Sequence, residues 1–198
     1  MQTRFRNDTA KNEATRAILS RWPRLALPQA WLVAGCLFQT VWNIKSGRAP
    51  GIGIKDYDIF YFEQSDLSAD AEAHVQSHVD SVLGDLGVNV EVANQARVHT
   101  WYPEHFGRPY PTLLAVEQGI DRFLVLETCV GIRPDEIYAP YGLEGVYAGT
   151  LTPNSLTPYP ELFSRKVESY CQRWDWLNVQ APMQKHVAQQ THAARREA

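Results

Sequence analysis

The sequence predicts an α+β domain in which helices pack on one face of a mixed sheet and a further helix lies near the C-terminus. Segments with apolar residues at helical spacing alternate along the chain with apolar runs and alternating patterns typical of strands. The chain has 198 residues, 44% hydrophobic and 21% charged, which suits one globular domain with a real core. The same order of elements also allows an α/β arrangement.

Breakers and periodicity define the elements of the first half of the chain. Pro23 and Pro28 follow an N-terminal helix, while Gly47 and Gly84 end the next two helices. In chain order we predict a helix at about 8–22, a buried strand at 30–35, a helix at 36–47, a strand at 54–63, a helix at 69–83 and a strand at 88–92 with a continuation through 97–102. The strand at 54–63 has the strongest pattern, because it is rich in aromatic and β-branched residues.

The second half gives weaker patterns until its last helix. In chain order we predict a helix near 113–123, strands at 128–132 and 137–140, a short helix at 142–148 and a final helix that starts near Pro160. The predicted organisation is an N-terminal helical segment (1–24), a core (25–155), a C-terminal helix packed on the core (156–179) and a flexible tail (180–198).

Charge and cysteine content limit the class of protein. The net charge of -3 argues against a general binder of nucleic acids or membrane surfaces. Residues 1–24 are locally basic, which indicates either an RNA contact or a solvated helix face. The three cysteines are far apart, and no secretory signal or membrane-spanning run is present. We therefore expect a cytoplasmic protein without a membrane partner.

Asp56 and Asp58 are the first candidate site residues. Side chains alternate along a strand, so residues two apart project from the same face. Two negative charges placed together there repel each other, and a divalent cation between them would reverse the sign of that interaction. Such hard oxygen ligands suit Mg²⁺ or Mn²⁺. Acidic pairs at this spacing also arise by chance, and Asp70 with Glu72 is one that we interpret as a solvated helix start.

Glu91 is the third candidate metal ligand. It alternates with Val90 and Val92, so it faces away from the core if the valines face inward. A strand paired beside 54–63 would place Glu91 across from Asp56 and Asp58, and three carboxylates there could hold two metal ions. A solvent-facing strand residue is the alternative interpretation.

Gly35 ends the strand at 30–35, and Cys36 opens the following helix. Glycine lets a ligand approach the backbone, and a helix N-terminus offers free N–H groups and a positive dipole to phosphate. Tight packing explains a glycine at this junction equally well.

The stretches VAGC, KDYDIF and VEV together resemble the nucleotidyltransferase superfamily typified by DNA polymerase beta. The longer pattern over about Trp31 to Leu177 resembles a bacterial family of nucleotidyltransferase-like proteins. Cys36 stands where the superfamily has Gly or Ser. The resemblance implies a nucleotidyltransferase fold with Asp56, Asp58 and Glu91 as catalytic residues and metal ligands.

Six residues are candidates for nucleotide binding. Gly35 and Cys36 would meet the triphosphate, and Gln39 and Asn43 a base or sugar. Arg97 shares the face of Glu91 if the strand continues regularly, and Lys166 would reach a phosphate. Packing explains Gln39 and Asn43 equally well, and a surface ion pair explains Arg97.

The resemblance implies a metal-dependent nucleotidyltransferase that moves a nucleoside monophosphate from a nucleoside triphosphate to a hydroxyl acceptor and releases pyrophosphate. The acceptor is RNA, protein or a small molecule. The alternatives are a catalytically inactive nucleotide-binding or antitoxin-like regulatory module of the same fold, and an RNA-handling module that uses the basic N-terminal segment.

Overall fold

A computed structural model describes residues 1–180, so most of the predicted tail at 180–198 lies outside the described residues. The helices in this range are α1 (Gln2–Thr9), α2 (Glu13–Ser20), α3 (Trp22–Leu25), α4 (Gly35–Lys45), α5 (Ala69–Leu83), α6 (Val98–Phe106), α7 (Glu117–Ile120), α8 (Glu144–Ala148) and α9 (Pro160–Cys171). The strands are β1 (Trp31–Val33), β2 (Asp56–Tyr61), β3 (Asn89–Asn94), β4 (Gly131–Arg133), β5 (Glu136–Tyr138), β6 (Thr150–Leu151) and β7 (Asn178–Val179). The predicted α+β class is confirmed.

The main sheet is mixed and has five strands in the order β3-β2-β1-β4-β5. Only β2 and β3 pair in parallel in this sheet, and the other neighbours are antiparallel. The parallel pair is possible because α5 provides the crossover between its two strands. Strands β6 and β7 form a separate parallel pair. No helix within residues 1–180 has the length and hydropathy that crossing a membrane requires.

The two faces of the sheet carry different packing. Tyr57, Ile59 and Tyr61 are buried on one face, in a core to which α1, α2, α4, α5 and α9 contribute. The intervening residues of β2 are only half-buried and project from the other face. A smaller cluster that includes Val33 and Ile120 covers part of this second face. The helices therefore pack mostly on one face, as predicted, and the rest of the second face stays open for a site.

The N-terminal segment is three short helices, and the prediction of one helix at 8–22 is wrong. The break occurs at Asn12, whose side-chain oxygen accepts the backbone N–H groups of Ala14 and Thr15 and so caps α2. The amide nitrogen of Asn12 donates to the Thr40 hydroxyl at 3.0 Å, which ties the break to α4. A cap with a buried partner stabilises the interrupted form over a continuous helix.

The predicted continuation of the third strand through 97–102 is also wrong, since residue 97 caps α6 and residues 98–102 lie in it. Strand β3 ends at Asn94, whose side chain accepts the backbone N–H groups of Glu63 and Ala96 and donates to the Glu63 carbonyl. These bonds turn the chain out of the sheet. Tertiary contacts at one residue thus override the strand propensity of the following aromatic and β-branched residues.

Other boundaries differ more modestly. The predicted helix near 113–123 is limited to the short α7, and the last helix ends at Cys171, before a turn and the short strand β7. The predicted strands at 128–132 and 137–140 appear as β4 and β5, displaced by a few residues.

Candidate functional site

Three carboxylates meet on the open face of the sheet. Asp58 and Glu91 are register partners on the parallel strands β2 and β3, and Asp56 lies two residues before Asp58. One ligand oxygen from each of Asp56, Asp58 and Glu91 lies within 4.8 Å of the other two. The predicted convergence of these residues is therefore found in the structure. The arrangement follows from strand alternation combined with parallel pairing.

The charges in this group are unfavourable without a cation. Burial, together with the charges of Asp56 and Glu91, raises the pKa of Asp58 to about 7, and Lys166 acts in the opposite direction. Like charges held together in a partly buried place normally need a compensating ion. The donor set consists of carboxylate oxygens alone, which is the chemistry that Mg²⁺ and Mn²⁺ prefer. The residues therefore fit a divalent cation.

A cavity of about 340 Å³, which we call the carboxylate cleft, opens beside these aspartates. Strand, helix and loop residues all contribute to it. Its lining consists of Ala34, Gly35, Phe38, Gln39, Asp56, Asp58, Phe60, Arg122, Phe123, Leu124, Val125, Thr128, Lys166 and Tyr170. Gly35, Gln39 and Lys166, three of the predicted nucleotide-binding residues, are thus brought together with two of the carboxylates.

Helix α4 begins at this cleft. Its first N–H groups have no partner within the helix, and its N-cap residue, Ala34, gives no side-chain cap. Ala34 adopts φ 63° and ψ −143°, a strained conformation for a residue with a Cβ. The strand therefore turns abruptly into the helix and presents the helix N-terminus to the cleft. This is a favourable position for phosphate oxygens.

Gln39 lies directly over Gly35. A Cβ added at Gly35 would come within 2.4 Å of the Gln39 Nε2 atom, so glycine is required for this close approach. The Oε1 atom of Gln39 accepts a hydrogen bond of 2.9 Å from the Arg173 guanidinium, which also donates to the Gly53 carbonyl. Arg173 thus fixes the amide so that its N–H groups remain near the helix N-terminus.

Lys166 brings a positive charge from the C-terminal helix. It lines the carboxylate cleft and lowers the pKa of Asp58, although burial and the neighbouring carboxylates dominate. Within the described part of the chain it forms no ion pair with a carboxylate. A lysine in this position is well placed for a phosphate group.

Cys36 does not offer its side chain to the cleft. The thiol is fully buried and donates to the Val33 carbonyl at 3.2 Å. Burial raises its pKa well above the usual value, so it stays neutral. Only the backbone of Cys36, at the start of α4, remains available to a ligand. The replacement of Gly or Ser by Cys therefore changes the core beneath the cleft and not its surface.

Asn43 and Arg97 hold the fold together at other places. The Asn43 amide donates to the carbonyls of Pro50 and Ile52, and its oxygen accepts the indole N–H of Trp174 at 3.1 Å. Arg97 forms an ion pair with Glu72 and donates to the Leu67 carbonyl. Neither residue lines the carboxylate cleft. Their expected contacts with base, sugar or triphosphate have no support in the geometry.

The basic N-terminal residues are engaged within the protein. Arg6 donates to the carbonyls of Arg133 and Pro134, Arg21 pairs with Asp85, and Lys11 contacts Asp8 at 2.7 Å. The Arg6 and Arg21 contacts tie the N-terminal segment to the rest of the protein, whereas the Lys11–Asp8 contact is local. They weaken the RNA-handling interpretation, because charges already paired contribute less to an electrostatic footprint.

Several residues of the cleft had no signal in the sequence. Arg122, Phe123 and Thr128 come from the irregular chain between α7 and β4, and Tyr170 from the core-facing side of α9. The spacing of one helical turn between Lys166 and Tyr170 was visible in the sequence, but the packing of Tyr170 against Phe38 and Trp42 of α4 was not.

Comparison with known proteins agrees with this geometry. Residues 20–179 match the model of a protein family described as Nucleotidyltransferase. The chain belongs to this nucleotidyltransferase family. The match covers the sheet, the three carboxylates, the start of α4 and the C-terminal helix. Family membership and fold together support a role in nucleotidyl transfer.

A solved structure shares the fold of this nucleotidyltransferase. It is an NMR structure described as revealing a CCA-adding enzyme head domain, with a TM-score of 0.67 and 23% sequence identity. The similarity covers 84% of this chain and 88% of that chain. No curated protein matches the sequence at a significant level.

Proposed function

We propose that the protein is a metal-dependent nucleotidyltransferase that moves a nucleoside monophosphate from a nucleoside triphosphate to a hydroxyl acceptor. The observation that carries this proposal is the convergence of the Asp56, Asp58 and Glu91 oxygens within 4.8 Å of one another, beside the N-terminus of α4. Membership of the nucleotidyltransferase family supports the reaction class.

The three carboxylates would hold Mg²⁺ or Mn²⁺. Bound there, the cation supplies positive charge that neutralises phosphate oxygens and favours ionisation of the attacking hydroxyl. Asp58 is largely buried and lies beside the charges of Asp56 and Glu91, so its own charge needs compensation. Glu91 is exposed, and its Oε1 atom accepts a hydrogen bond of 2.8 Å from Asn89. Asn89 therefore keeps the Glu91 carboxylate oriented on the face that it shares with Asp58.

The triphosphate would lie along the start of α4. The free N–H groups at Gly35 and Cys36, the amide of Gln39 and the ammonium group of Lys166 supply hydrogen bonds and positive charge to its oxygens. The acceptor hydroxyl oxygen forms a bond to the α-phosphorus while the bond to the β-phosphate oxygen breaks. Pyrophosphate leaves with the electron pair, and the hydroxyl proton passes to solvent. The residues act mainly by positioning and by charge neutralisation.

The proposal is tested by nucleotide-dependent stabilisation and by pyrophosphate release. Thermal unfolding is measured with each of the four ribonucleoside triphosphates, with and without Mg²⁺, for the wild type and for Asp58→Asn. We expect a rise in Tm that needs both the metal and the triphosphate in the wild type and disappears in the variant.

The matched control is Asp70→Asn, which removes an exposed carboxylate of the other acidic pair, at the start of α5. It should behave as the wild type does. Pyrophosphate release measured across a panel of acceptors should fall about a thousandfold in Asp58→Asn. Release that persists in Asp58→Asn, or a complete lack of release with every triphosphate and acceptor, would contradict the proposal.

A further inference from the structure

A second cavity adjoins the carboxylate cleft on the same side of the sheet. It measures about 530 Å³, which lies within the usual range for small-molecule sites. Its wall includes Trp101, Tyr102 and Phe106 from α6, Tyr110 from the loop after it, and Tyr159 at the start of α9. We call this cavity the aromatic cleft. Phe60 and Lys166, among others, line both cavities, so the two are continuous.

Trp101, Tyr102 and Phe106 pack on one another and outside the core, whereas Tyr110 also contacts the smaller hydrophobic cluster. The Tyr102 ring centroid lies 4.6 Å from that of Phe106 and 4.6 Å from that of Tyr110. Trp101 lies 5.9 Å from Tyr102, and Phe106 is 48% exposed. Among the described residues, neither hydrophobic core cluster includes Trp101, Tyr102 or Phe106. Stability of the fold therefore does not explain this concentration of rings around an open cavity.

The polar lining of the aromatic cleft is positive. Arg122 and Lys166 line it, none of its lining residues within 1–180 is acidic, and neither cation forms an ion pair there. The hydroxyl of Thr157, another lining residue, is buried without a hydrogen-bond partner. A ligand with a flat ring, a negative charge and hydrogen-bonding groups matches these features.

The strand register shows where the aromatic cleft lies relative to the N-terminus of α4. Val33 pairs with Asp58, and the chain then enters α4, whereas Trp31 pairs with Phe60. The start of α4 and the aromatic cleft therefore lie on opposite sides of Asp58. In phosphoryl transfer the attacking and leaving oxygens are roughly in line. If pyrophosphate leaves beside α4, the attacking hydroxyl comes from the side of Phe60.

We propose that the aromatic cleft binds the acceptor, and that the acceptor is a nucleoside monophosphate unit. Its base stacks on Trp101 and Tyr102, its phosphate meets Arg122, and its ribose hydroxyl is directed towards the α-phosphorus beside Asp58. This inference rests on the proposed function, because it assigns the second substrate of the same reaction. The unit is either a free nucleotide or the terminal nucleotide of an RNA strand.

Binding is tested first, without turnover. The Kd of adenosine 5′-monophosphate is measured by calorimetry in EDTA for the wild type, Trp101→Leu and Trp101→Phe. We expect Trp101→Leu to weaken binding at least about tenfold, while Trp101→Phe, which keeps a ring, stays within about threefold. Ribose 5-phosphate and adenosine, which lack the base and the phosphate respectively, should each bind more weakly.

Two controls make the binding result decisive. Tyr141→Ala removes a ring that is 45% exposed and lies outside the cleft, and it should leave the Kd unchanged. Asp58→Asn should also bind adenosine 5′-monophosphate, because this cleft does not use the carboxylates. Equal binding of ribose 5-phosphate and adenosine 5′-monophosphate, or a Kd that does not change in Trp101→Leu, would overturn the proposal whether or not Asp58 is catalytic.

A turnover assay then shows whether the acceptor is a free nucleotide or a strand end. It also shows whether the aromatic cleft binds the acceptor or the donor. Transfer from α-labelled triphosphates in Mg²⁺ is followed with adenosine 5′-monophosphate and with a short oligoribonucleotide as acceptors. Labelling of the mononucleotide identifies a free nucleotide as the acceptor, and labelling of the oligonucleotide alone identifies a strand end. Either result supports the proposal if Trp101→Leu raises the KM of the labelled acceptor. A rise in the KM of the triphosphate alone would place the donor base in the cleft, and labelling of neither acceptor would remove the acceptor role.

Discussion

Asp58 and Glu91 are paired residues on the two parallel strands of the sheet, so their carboxylates leave the same face side by side. Asp56 joins them from the adjacent position on that face, and no basic residue in the described chain forms an ion pair with any of the three. The like charges favour a bound cation at this part of the sheet, so we expect the stability of the protein to depend on metal and pH together.

The first prediction concerns the stability of the metal-free protein. The folded pKa of Asp58 is raised to about 7 by burial, so its stabilising contribution is complete below its unfolded value near 3.8 and is lost as pH rises through 7. The loss corresponds to at most about 4 kcal/mol. In EDTA, the Tm of the wild type should fall between pH 5.5 and pH 8 more than that of Asp58→Asn.

Adding Mg²⁺ should reverse this loss, because the cation favours the ionised carboxylates. The rise in Tm on adding Mg²⁺ should be larger at pH 8 than at pH 5.5, and metal binding should release protons, which calorimetry in two buffers of different ionisation enthalpy detects. Parallel pH profiles for the wild type and Asp58→Asn in EDTA would show that Asp58 is not the group that titrates.

We expect Gly35→Ala to weaken triphosphate binding with little effect on the stability of the fold. The new methyl group would displace the Gln39 amide, which is the flexible end of a side chain, so the fold should lose less than about 1 kcal/mol. The same methyl group would occupy the space where we propose that the backbone meets the triphosphate. We expect the KM for the triphosphate to rise at least tenfold with little change in Tm. Gly84→Ala, where nothing lies within 4 Å of the new atom and φ is −61°, shows the effect of a glycine outside the cleft.

Asn43→Ala should act on stability alone. The change leaves the carbonyls of Pro50 and Ile52 and the indole N–H of Trp174 without their partner. Unpaired buried groups cost about 2–4 kcal/mol in total, which corresponds to a fall in Tm of about 5–10 °C for a domain of this size. The KM for the triphosphate should stay unchanged below the transition. A raised KM with an unchanged Tm would return Asn43 to the nucleotide site.

The sequence predicted the carboxylates well because strand alternation is a local property. Residues two apart on a strand share a face, which places Asp56 with Asp58. Glu91 joins them on one further assumption, that β3 pairs beside β2. Residues whose position depends on long-range contacts were harder. Cys36 is turned inward by the strained bend at Ala34, and Arg97 is removed from the strand by the Asn94 hydrogen bonds. The sequence around Cys36 and Arg97 contains no pattern that predicts either bend.

Arg97 gives a prediction that distinguishes a structural ion pair from a phosphate contact. Its side chain and that of Glu72 are 11% and 22% exposed, so the pair is largely shielded from water. Arg97→Met should destabilise the protein by about 2 kcal/mol. A double-mutant cycle with Glu72→Gln should give a coupling energy of about 1 kcal/mol or more in thermal or urea unfolding. A coupling near zero together with a raised KM for the triphosphate would favour the phosphate contact.

We expect Lys166 to affect both the ionisation of Asp58 and the binding of the triphosphate. It lines both cavities and opposes the rise in the Asp58 pKa, so Lys166→Met should remove the proposed phosphate contact and leave Asp58 harder to ionise. We expect the KM for the triphosphate to rise about tenfold or more, and the pH at which Mg²⁺ begins to stabilise the protein to move upwards. Lys166→Arg keeps the charge and should restore the pH dependence, with a smaller effect on KM. If the methionine variant changed KM but left the pH dependence of Mg²⁺ stabilisation as in the wild type, Lys166 would contact the nucleotide without acting on Asp58.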